Sequence, residues 1–387
     1  MTDLLTVVGI GAGGWADLPG THTAALTSAE VILGSRRQLD LLPASVPGSR
    51  IAWPSPLLPA LPGLLEEHRG RRVCVLASGD PMFHGIGATL ARLVGPSGMR
   101  VLTHPSSVSL AAARLGWPLH GVEVVSLVST PASALNAVIN PGRRILVIGG
   151  SPPSVAAVVD GRGRISVLSQ LGGPDEQVTD LEGWSGDPLT VIAVECGGPR
   201  TPATPGLPDD LYESDGQLTK REVRAVTLAV LGPAPGELLW DVGAGSGSIG
   251  IEWMRAARDC RAVAIESDAA RVATITANAA RLGVPGLRVV HGRAPAALVG
   301  LPRPDVVFIG GGLTGDGVVE ACLDGLPQGG RLVANAVTLE SEAVLTGWHG
   351  KLGGDLTRVA VQRAKPVGGF TGWQTMMPVT TWAVVKP

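Results

Sequence analysis

Two glycine-rich loops, each directly after an apolar run, are the parts of this chain whose residue types and spacing could do chemistry. The first is VVGIGAGG, from Val7 to Gly14, and the second is DVGAGSGSIG, from Asp241 to Gly250. A glycine loop between a strand and a helix lets backbone N–H groups approach a ligand closely. An acid about 20 residues further on would hold ribose hydroxyls, and Glu266 meets that requirement for the second loop. The second loop therefore predicts a ligand that contains a nucleoside.

The neighbours of the second loop indicate which nucleoside ligand to expect. Asp241 ends the preceding strand and gives D-x-G-x-G-x-G, and AIESD, TANAARLGV, VVHGRA and DVVFIGGG follow in that order. This arrangement resembles the class I, Rossmann-like S-adenosylmethionine methyltransferases. The resemblance implies that Asp241 lies near the methionine part of the cofactor, Glu266 near the ribose and Ala294 near the adenine. It also implies cofactor contacts along the loop itself, at Gly243, Ala244, Gly245, Ser246 and Gly247.

The segment before this core, DGQLTKREVRAVTLAVL from Asp215 to Leu231, indicates which group of these methyltransferases the chain resembles. It resembles the corresponding segment of the cobalamin-pathway enzymes that methylate C15 of a corrin precursor and remove a carboxyl group from its C12 acetate. The resemblance implies that Thr219 contacts the cofactor. A compatible alternative is a solvated helix start, with Thr219 as the N-cap and Glu222 closing a capping box.

Cationic and amide side chains in and after this segment are candidates for the substrate site. Lys220, Arg221 and Arg224 could bind the many carboxylates of a corrin precursor. For the decarboxylation we expect a cationic pocket formed by Lys220, Arg221 and Asn335, the last of which follows the fifth strand of the C-terminal half.

The first glycine loop does not fit a dinucleotide site, because its nearest acid, Glu30, begins the second strand instead of ending it. The motifs VVGIGAGG, LGSRRQL, LASGDPMFHGIG and PSSVSLAAARLGW together resemble the tetrapyrrole methylases, the class III fold, and most closely the branch that methylates C5 of a corrin precursor. The resemblance implies a cofactor folded in a cleft between two α/β subdomains. The residues that it implies as cofactor contacts are Gly79, Asp80, Phe83, Ser106 and Ser107.

The composition is that of a globular protein with no sign of a nucleic-acid or membrane partner. Hydrophobic residues make up 45% and charged residues 17%, which favours a buried core over disorder. The net charge of -2 does not predict a nucleic-acid-binding surface. The seven histidines show no metal-ligand spacing, so no metal is expected. Four dispersed cysteines, no signal-peptide pattern and no run of about 20 apolar residues predict a cytoplasmic protein.

Short β-branched runs alternate with Ala/Leu-rich stretches on both sides of a Pro/Gly-rich stretch, 196–217. This alternation predicts an α/β protein, with 196–217 as the linker. We expect a tetrapyrrole methylase domain of two α/β subdomains over residues 1–203, which would methylate C5. A Rossmann-like methyltransferase domain over 206–387 would methylate C15 and decarboxylate.

Both halves thus resemble enzymes of the same pathway, cobalamin biosynthesis. The predicted function is a bifunctional S-adenosylmethionine-dependent methyltransferase that methylates C5 and C15 of precorrin-6B and decarboxylates its C12 acetate, with one cofactor site per domain. The expected partner is a polycarboxylate tetrapyrrole, and the chain is expected to form a homo-oligomer. The alternatives are an RNA methyltransferase, since both folds also serve RNA, an NAD-dependent oxidoreductase, and a chain in which one half is a carrier or scaffold.

Overall fold

The structure, a computed structural model, describes residues 5–387 and divides into two units. The first unit is built from the chain up to Ser129 together with Pro141–Gly198. The second is built from Thr130–Asn140 together with Pro199–Pro387.

The first unit starts with a parallel five-stranded sheet whose three inner strands are almost entirely buried. Its strands are β1 (Leu5–Ile10), β2 (Val31–Gly34), β3 (Ser49–Ala52), β4 (Val73–Ser78) and β5 (Met99–Leu102), and its order is β3-β2-β4-β1-β5. The helices of this part are α1 (Gly20–Ser28), α2 (Arg36–Asp40), α3 (Leu57–Glu67), α4 (Gly87–Val94) and α5 (Ser107–Leu115). Apolar side chains alternate between two clusters, one on each face of the sheet. Burial of both faces explains why these strands read as continuous apolar runs in the sequence.

A second, mixed sheet completes the first unit. Its elements are β6 (Val122–Ser126), β7 (Arg144–Ile148), α6 (Pro152–Val159), β8 (Gly163–Ser169), β9 (Gln177–Thr179) and β10 (Thr190–Cys196), and its strand order is β6-β7-β10-β8-β9. Only β6 and β7 pair in parallel. The apolar side of α5 packs against this second sheet through Val108, Ala111 and Ala112, so α5 connects the two sheets.

The second unit contains a seven-stranded sheet with helices on both faces. Its helices are α7 (Arg221–Leu231), α8 (Ser248–Ala256), α9 (Ala269–Arg281), α10 (Val318–Gly325) and α11 (Leu339–Leu352). Its strands are β11 (Leu238–Val242), β12 (Arg261–Glu266), β13 (Arg288–His291), β14 (Val306–Ile309), β15 (Arg331–Ala336), β16 (Asp355–Val359), β17 (Gln362–Val367), β18 (Phe370–Thr375) and β19 (Val379–Val385). The sheet order is β13-β12-β11-β14-β15-β19-β16, with β19 antiparallel to both of its neighbours, and β17 and β18 form a separate hairpin. The predicted α/β class is confirmed.

The predicted linker is wrong for its second half. Leu207 and Tyr212 are buried in the core of the second unit, and the N–H groups of Gly206 and Leu207 donate to the Glu252 carboxylate. The high Pro/Gly content led to the linker prediction, although the buried apolar side chains make residues 206–212 part of the fold.

The second unit also includes a segment from the first half of the chain. In Thr130–Asn140, Leu135 and Ile139 are buried. The Asn136 side-chain amide donates to the Ala280 carbonyl at the end of α9 (3.3 Å). The second unit is therefore assembled from two separate stretches of sequence.

Cys74 is buried in β4, and burial raises the pKa of its thiol to about 11. None of the helices within residues 5–387 combines the length and the apolar character that a membrane span requires.

Candidate active sites

In the first unit, three of the sequence motifs meet at one edge of the parallel sheet. Strands β4, β1 and β5 are neighbours, so the loops that follow them lie side by side. A Cβ built on Gly9 would lie 2.2 Å from the Gly79 carbonyl oxygen and 2.7 Å from the backbone nitrogen of His104. The glycine loop, the G-D-P turn and the loop before Ser106 are therefore in direct contact, which requires glycine at position 9.

The G-D-P turn presents an apolar, strained segment at this edge. Gly79 has φ +58°, and the Asp80 carboxylate accepts a hydrogen bond from the Met82 N–H (2.9 Å). Met82 and Phe83 are exposed, and His84 has φ +54°, a conformation that residues other than glycine rarely adopt. Strained backbone of this kind is concentrated at functional sites. His84 itself is solvent-exposed, with its ring edge-on to Phe83 at 4.8 Å.

The serine pair begins helix α5. The Ser106 hydroxyl caps the helix by accepting from the Ser109 N–H (3.1 Å), and Ser107, the first helical residue, is exposed. A Cβ built on Gly79 would lie 3.2 Å from the Ser106 Cα. The structure thus brings the predicted contacts Gly79 and Ser106 together at the N-terminus of a helix, where free backbone N–H groups favour anionic ligand groups.

The second sheet also contributes to this edge, through the loop after β8. A Cβ on Gly173 would lie 2.9 Å from the Cβ of Ala12, and one on Gly13 would lie 2.8 Å from the Gly172 carbonyl oxygen. The first glycine loop is therefore packed against protein instead of forming an open cradle for a pyrophosphate. This agrees with the sequence argument against a dinucleotide.

A guanidinium beside the G-D-P turn was not singled out by the sequence reasoning. Arg37 donates to the Ser78 hydroxyl (3.2 Å), directly before Gly79, and the Gln38 amide donates to the same oxygen (3.0 Å). Arg37 is exposed, so its remaining N–H groups can bind a carboxylate, the partner that suits a guanidinium best. The signal in the sequence was the pair of arginines in LGSRRQL, after β2.

In the second unit, Glu266 holds the glycine loop. Its carboxylate is almost fully buried at the end of β12 and accepts hydrogen bonds from the Gly245 N–H (2.8 Å), the Ser267 N–H (2.9 Å) and the Asp268 N–H (3.0 Å). Three backbone donors fix the carboxylate at the carboxyl end of the sheet, next to the loop. This is a suitable arrangement for accepting hydrogen bonds from a ribose diol.

Asp241 is buried below the same loop. One carboxylate oxygen accepts from the Gly250 N–H of α8 (2.9 Å), whereas the other is buried without a hydrogen-bond partner within residues 5–387. Burial raises the pKa of Asp241 to about 7; the Gly250 N–H opposes this rise and the negative charge of Glu266 adds to it. An orphaned carboxylate oxygen at the end of β11, directly before the glycine loop, fits a site that is completed by a ligand.

The raised pKa of Asp241 predicts a pH-dependent stability. Between about pH 4 and pH 7 the folded chain keeps a proton on Asp241 that the unfolded chain has released, so the second unit is expected to lose stability as the pH rises through this range. In the Asp241→Asn variant this loss should be absent. Urea unfolding of both proteins at pH 5 and pH 7.5, read by hydrogen exchange in α8, measures it. An equal pH effect in the two proteins would contradict the prediction.

The loop residues differ in what they contact. Gly243 has φ +69°, and a Cβ there would lie 2.6 Å from three backbone atoms of Gly311, in the loop after β14. Ala244 is half-buried, Gly247 is the N-cap of α8, and the Ser246 hydroxyl is buried without a partner in the described chain. Ala294 is half-buried after β13 and packs against the core. The carboxyl ends of β11, β12, β13 and β14 thus bring the predicted cofactor contacts of this unit to one edge.

The predicted capping box before the second core is wrong. Helix α7 begins at Arg221 with Lys220 as its N-cap, and no side chain of the described residues caps it. Glu222 pairs with Arg363 of β17 instead. The segment does lie against the glycine loop, since a Cβ on Gly245 would be 3.0 Å from the Gln217 carbonyl oxygen. Thr219 and Lys220 are half-buried and Arg221 is exposed.

Arg224 is not available to a substrate, contrary to the prediction. Its side chain is 0% exposed and binds the Glu252 carboxylate of α8, with further hydrogen bonds to Asp209 and to the backbone carbonyls of Leu207 and Thr219. Glu252 also accepts from the Tyr212 hydroxyl (2.9 Å). Arg224 therefore fixes the backbone at Thr219 and has a structural role.

Asn335 lies apart from Lys220 and Arg221. Its side-chain amide donates to Thr227 in α7 (2.9 Å) and accepts from Thr381 in β19 (2.8 Å). Thr227 is seven residues after Lys220, which corresponds to about 10 Å along a helix. The structure therefore does not bring the three predicted catalytic residues together, and the contacts of Asn335 hold α7 against the sheet.

Comparison with known proteins gives consistent matches to both halves of the chain. A family model described as tetrapyrrole (corrin/porphyrin) methylases matches residues 4–182, and one described as precorrin methyltransferase domain matches residues 210–386. Proteins named precorrin-6Y C(5,15)-methyltransferase [decarboxylating] from Sinorhizobium sp. and from Mycobacterium tuberculosis H37Rv are each 47% identical to this chain. The alignments cover 99% of this chain and 96% and 100% of those proteins, respectively. A probable cobalt-precorrin-6B C(15)-methyltransferase (decarboxylating) from Pyrobaculum calidifontis is 36% identical over 46% of this chain and 94% of its own length.

Proposed function

This chain belongs to the family of precorrin-6Y C(5,15)-methyltransferases (decarboxylating), and we propose that its two units divide the reactions of that family between them. As a member of the family it is an S-adenosylmethionine-dependent methyltransferase of cobalamin biosynthesis that also decarboxylates its precorrin substrate. The observation that carries this conclusion is the 47% identity over 99% of the chain, which includes both units. The relatives are named for precorrins, and nothing among them supports the RNA methyltransferase alternative.

The finer assignment follows the two family matches. The tetrapyrrole methylase half, proposed as residues 1–203, methylates C5 of precorrin-6B. The half proposed as 206–387 has the Rossmann-like class I methyltransferase fold, methylates C15 and decarboxylates the C12 acetate. The order of the seven-stranded sheet and the loop motif D-x-G-x-G-x-G support this fold. The relative from Pyrobaculum, named for the C15 methylation and the decarboxylation alone, is about half as long as this chain.

We propose one cofactor site per unit. In the first unit the contacts are Gly79, Asp80, Phe83, Ser106 and Ser107. In the second they are Thr219, Asp241, Gly243, Ala244, Gly245, Ser246, Gly247, Glu266 and Ala294. The second set fits the cofactor because backbone N–H groups and a fixed carboxylate for a ribose diol meet at one edge. Two buried polar atoms that lack a partner within residues 5–387, Asp241 Oδ1 and Ser246 Oγ, lie at the same edge. S-adenosylmethionine supplies an activated methyl group on a sulfonium.

The work of the protein is then to position the reacting carbon. Holding two reactants in line can contribute about 7–11 kcal/mol to lowering a barrier. In the first unit, Arg37 binds a carboxylate of the macrocycle, and the exposed side chains of Met82 and Phe83 provide apolar surface for its ring system. In the second unit, the backbone donors on Glu266 keep the loop and the carboxylate rigid.

For the decarboxylation we propose that Lys220 and Arg221 orient the acetate. The bond between the acetate carbons breaks, its electron pair passes into the conjugated macrocycle, carbon dioxide leaves, and a proton replaces it on carbon. Lys220 and Arg221 stand at the start of α7, next to the segment that contacts the glycine loop. Asn335 stays a prediction for this pocket, and its contacts with Thr227 and Thr381 favour a role in positioning α7.

We also propose that the chain forms a homo-oligomer through the β17–β18 hairpin. A two-stranded sheet is marginal in isolation, and this one exposes Phe370 by 84%, Trp373 by 74% and Val367 by 64%. Both edges of the hairpin are free to pair within residues 5–387, so a second copy of the same hairpin could cover these side chains. Light scattering on the purified chain gives the number of copies.

The division of labour predicts that each unit can be impaired separately. The full-length protein with precorrin-6B and ¹³C-methyl-labelled S-adenosylmethionine should add two methyl groups and release one carbon dioxide. Glu266→Gln places an amide N–H₂ among three backbone donors and should lower C15 methylation by on the order of 10²-fold while C5 methylation continues. Asp80→Asn should lower C5 methylation while C15 methylation continues.

Glu320→Gln, an exposed residue of the first turn of α10, is the matched control and should behave like the wild type. ¹³C NMR distinguishes the two methylated carbons. The absence of any change in the macrocycle would overturn the proposed substrate, whereas loss of both methylations in either variant would overturn the division between units.

A further inference from the structure

We propose that His104 is the general base of the C5 methylation, an inference that rests on the proposed function of the first unit. His104 was not distinguished in the sequence from the six other histidines. It follows β5 by two residues, in the loop between that strand and the serine pair, at the edge where the G-D-P turn and the glycine loop meet.

The imidazole ring is held in place by the glycine loop. A Cβ built on Gly11 would lie 2.6 Å from Cε1 of His104 and 3.3 Å from each ring nitrogen, so the ring occupies the space that only glycine leaves free. The backbone before it is also fixed, because the Thr103 carbonyl accepts a hydrogen bond from His22 Nε2 (2.9 Å). His104 as a residue is half-buried, not sealed in the core.

The hydrogen bonds of His104 determine which nitrogen can act as a base. Nδ1 lies 3.2 Å from the Pro105 carbonyl oxygen. A carbonyl only accepts, so Nδ1 carries the proton and the neutral ring leaves Nε2 as an acceptor. Within residues 5–387 no hydrogen bond reaches Nε2. The arrangement is that of a catalytic histidine whose second nitrogen is held by a backbone carbonyl.

The reaction needs such a group. When the C5 carbon attacks the methyl group, a carbon–carbon bond forms, and the carbon–sulfur bond breaks with its electron pair staying on sulfur. The macrocycle is left with one positive charge, and it becomes neutral when the C5 hydrogen leaves as a proton. His104 Nε2 accepts that proton and becomes imidazolium. Two other acid–base groups lie at this edge. One oxygen of the Asp80 carboxylate is already engaged by the Met82 N–H, and His84 is solvent-exposed.

The test compares His104→Gln and His104→Ala with the wild-type full-length chain. General-base catalysis is worth on the order of 10²–10⁴-fold, so both variants should lose C5 methylation by at least 10²-fold while C15 methylation and decarboxylation continue. Added imidazole should restore part of the C5 methylation in His104→Ala only. His120→Gln, an exposed histidine of the same unit, is the matched control.

A second readout needs no methyl transfer. With S-adenosylhomocysteine and precorrin-6B in D₂O, a base at C5 can deliver a deuteron and remove the proton, so the wild type should exchange the C5 hydrogen and His104→Gln should not. S-adenosylhomocysteine affinity, measured by calorimetry, should be unchanged in both variants.

Three results would overturn the inference: C5 methylation within tenfold of the wild type in His104→Gln, a loss of C5 methylation matched by an equal loss of S-adenosylhomocysteine affinity, or no rescue by imidazole. If the wild-type chain itself does not methylate C5, the proposed function fails and the inference fails with it. Normal wild-type activity together with an active His104→Gln variant overturns the inference alone.

Discussion

Replacing Glu252 with alanine is expected to lower the free energy of unfolding of the second unit by about 3–5 kcal/mol. The change removes the buried carboxylate nearest to the buried Arg224 guanidinium, and Asp209 (3.3 Å) is then the carboxylate that still pairs with Arg224. The Arg224 guanidinium is 0% exposed and Glu252 is 1% exposed, so water cannot replace the lost carboxylate. The substitution also removes the acceptor of the Tyr212 hydroxyl and of two backbone N–H groups, at Gly206 and Leu207. Each of these would remain buried and unsatisfied, which adds to the cost.

The measurement is hydrogen exchange of the α7 and α8 amides at increasing urea concentration, since a chain of two units need not unfold in one transition. Arg258→Ala is the matched control in the same unit. Arg258 pairs with Asp259, but their side chains are 90% and 78% exposed, and such a pair contributes little. A loss below about 1 kcal/mol for Glu252→Ala would show that the second unit does not depend on this buried pair.

Replacing Gly243 with alanine is expected to reduce C15 methylation and decarboxylation by on the order of 10²-fold or more, because a displacement of about 1 Å at a reacting group can cost that much. The new Cβ would lie 2.6 Å from three backbone atoms of Gly311, none of which can rotate away. Either the cofactor loop or the loop after β14 must move. C5 methylation by the first unit should be unchanged.

Gly300→Ala separates this steric effect from the cost of the backbone conformation. Gly300 has φ +77°, similar to the +69° of Gly243, but no atom of residues 5–387 lies within 4 Å of a Cβ built on it. The control should therefore lose some stability and keep its activity. Both variants are assayed with ¹³C-methyl-labelled cofactor, and equal activity in the two would contradict the role assigned to the contact between Gly243 and Gly311.

The elements that are buried on both faces could be predicted from the sequence. Runs such as RRVCVLAS and ELLWDVGAG became β4 and β11, because parallel strands covered on both sides contain few polar residues. The strands β17 and β18 were not predicted. All but one residue in each is exposed, so neither has the alternation of apolar and polar residues that indicates a strand.

The sites were predictable where the residues of a motif are contiguous, and not where distant residues meet. The ends of β4 and β12 are recognisable from G-D-P and from an acid after an apolar run. Arg224 was misjudged because its partner Glu252 lies 28 residues away on another helix. His104 and Arg37 were missed for the same reason. Their neighbours Gly11 and Ser78 are distant in sequence and are brought near by the β1–β5 and β2–β4 pairings.

The inclusion of Thr130–Asn140 in the second unit has a consequence for how the chain folds while it is being synthesised. Its partners at the end of α9, among them Ala280 and Gly283, leave the ribosome about 140 residues later. At translation speeds of about 5–20 residues per second, these partners are synthesised roughly 7–30 s after this stretch. During that time the stretch that holds Leu135 and Ile139, which are buried in the folded chain, lacks the unit to which it belongs. The nascent chain therefore carries a short apolar stretch that is open to chaperones until the second half of the protein has emerged.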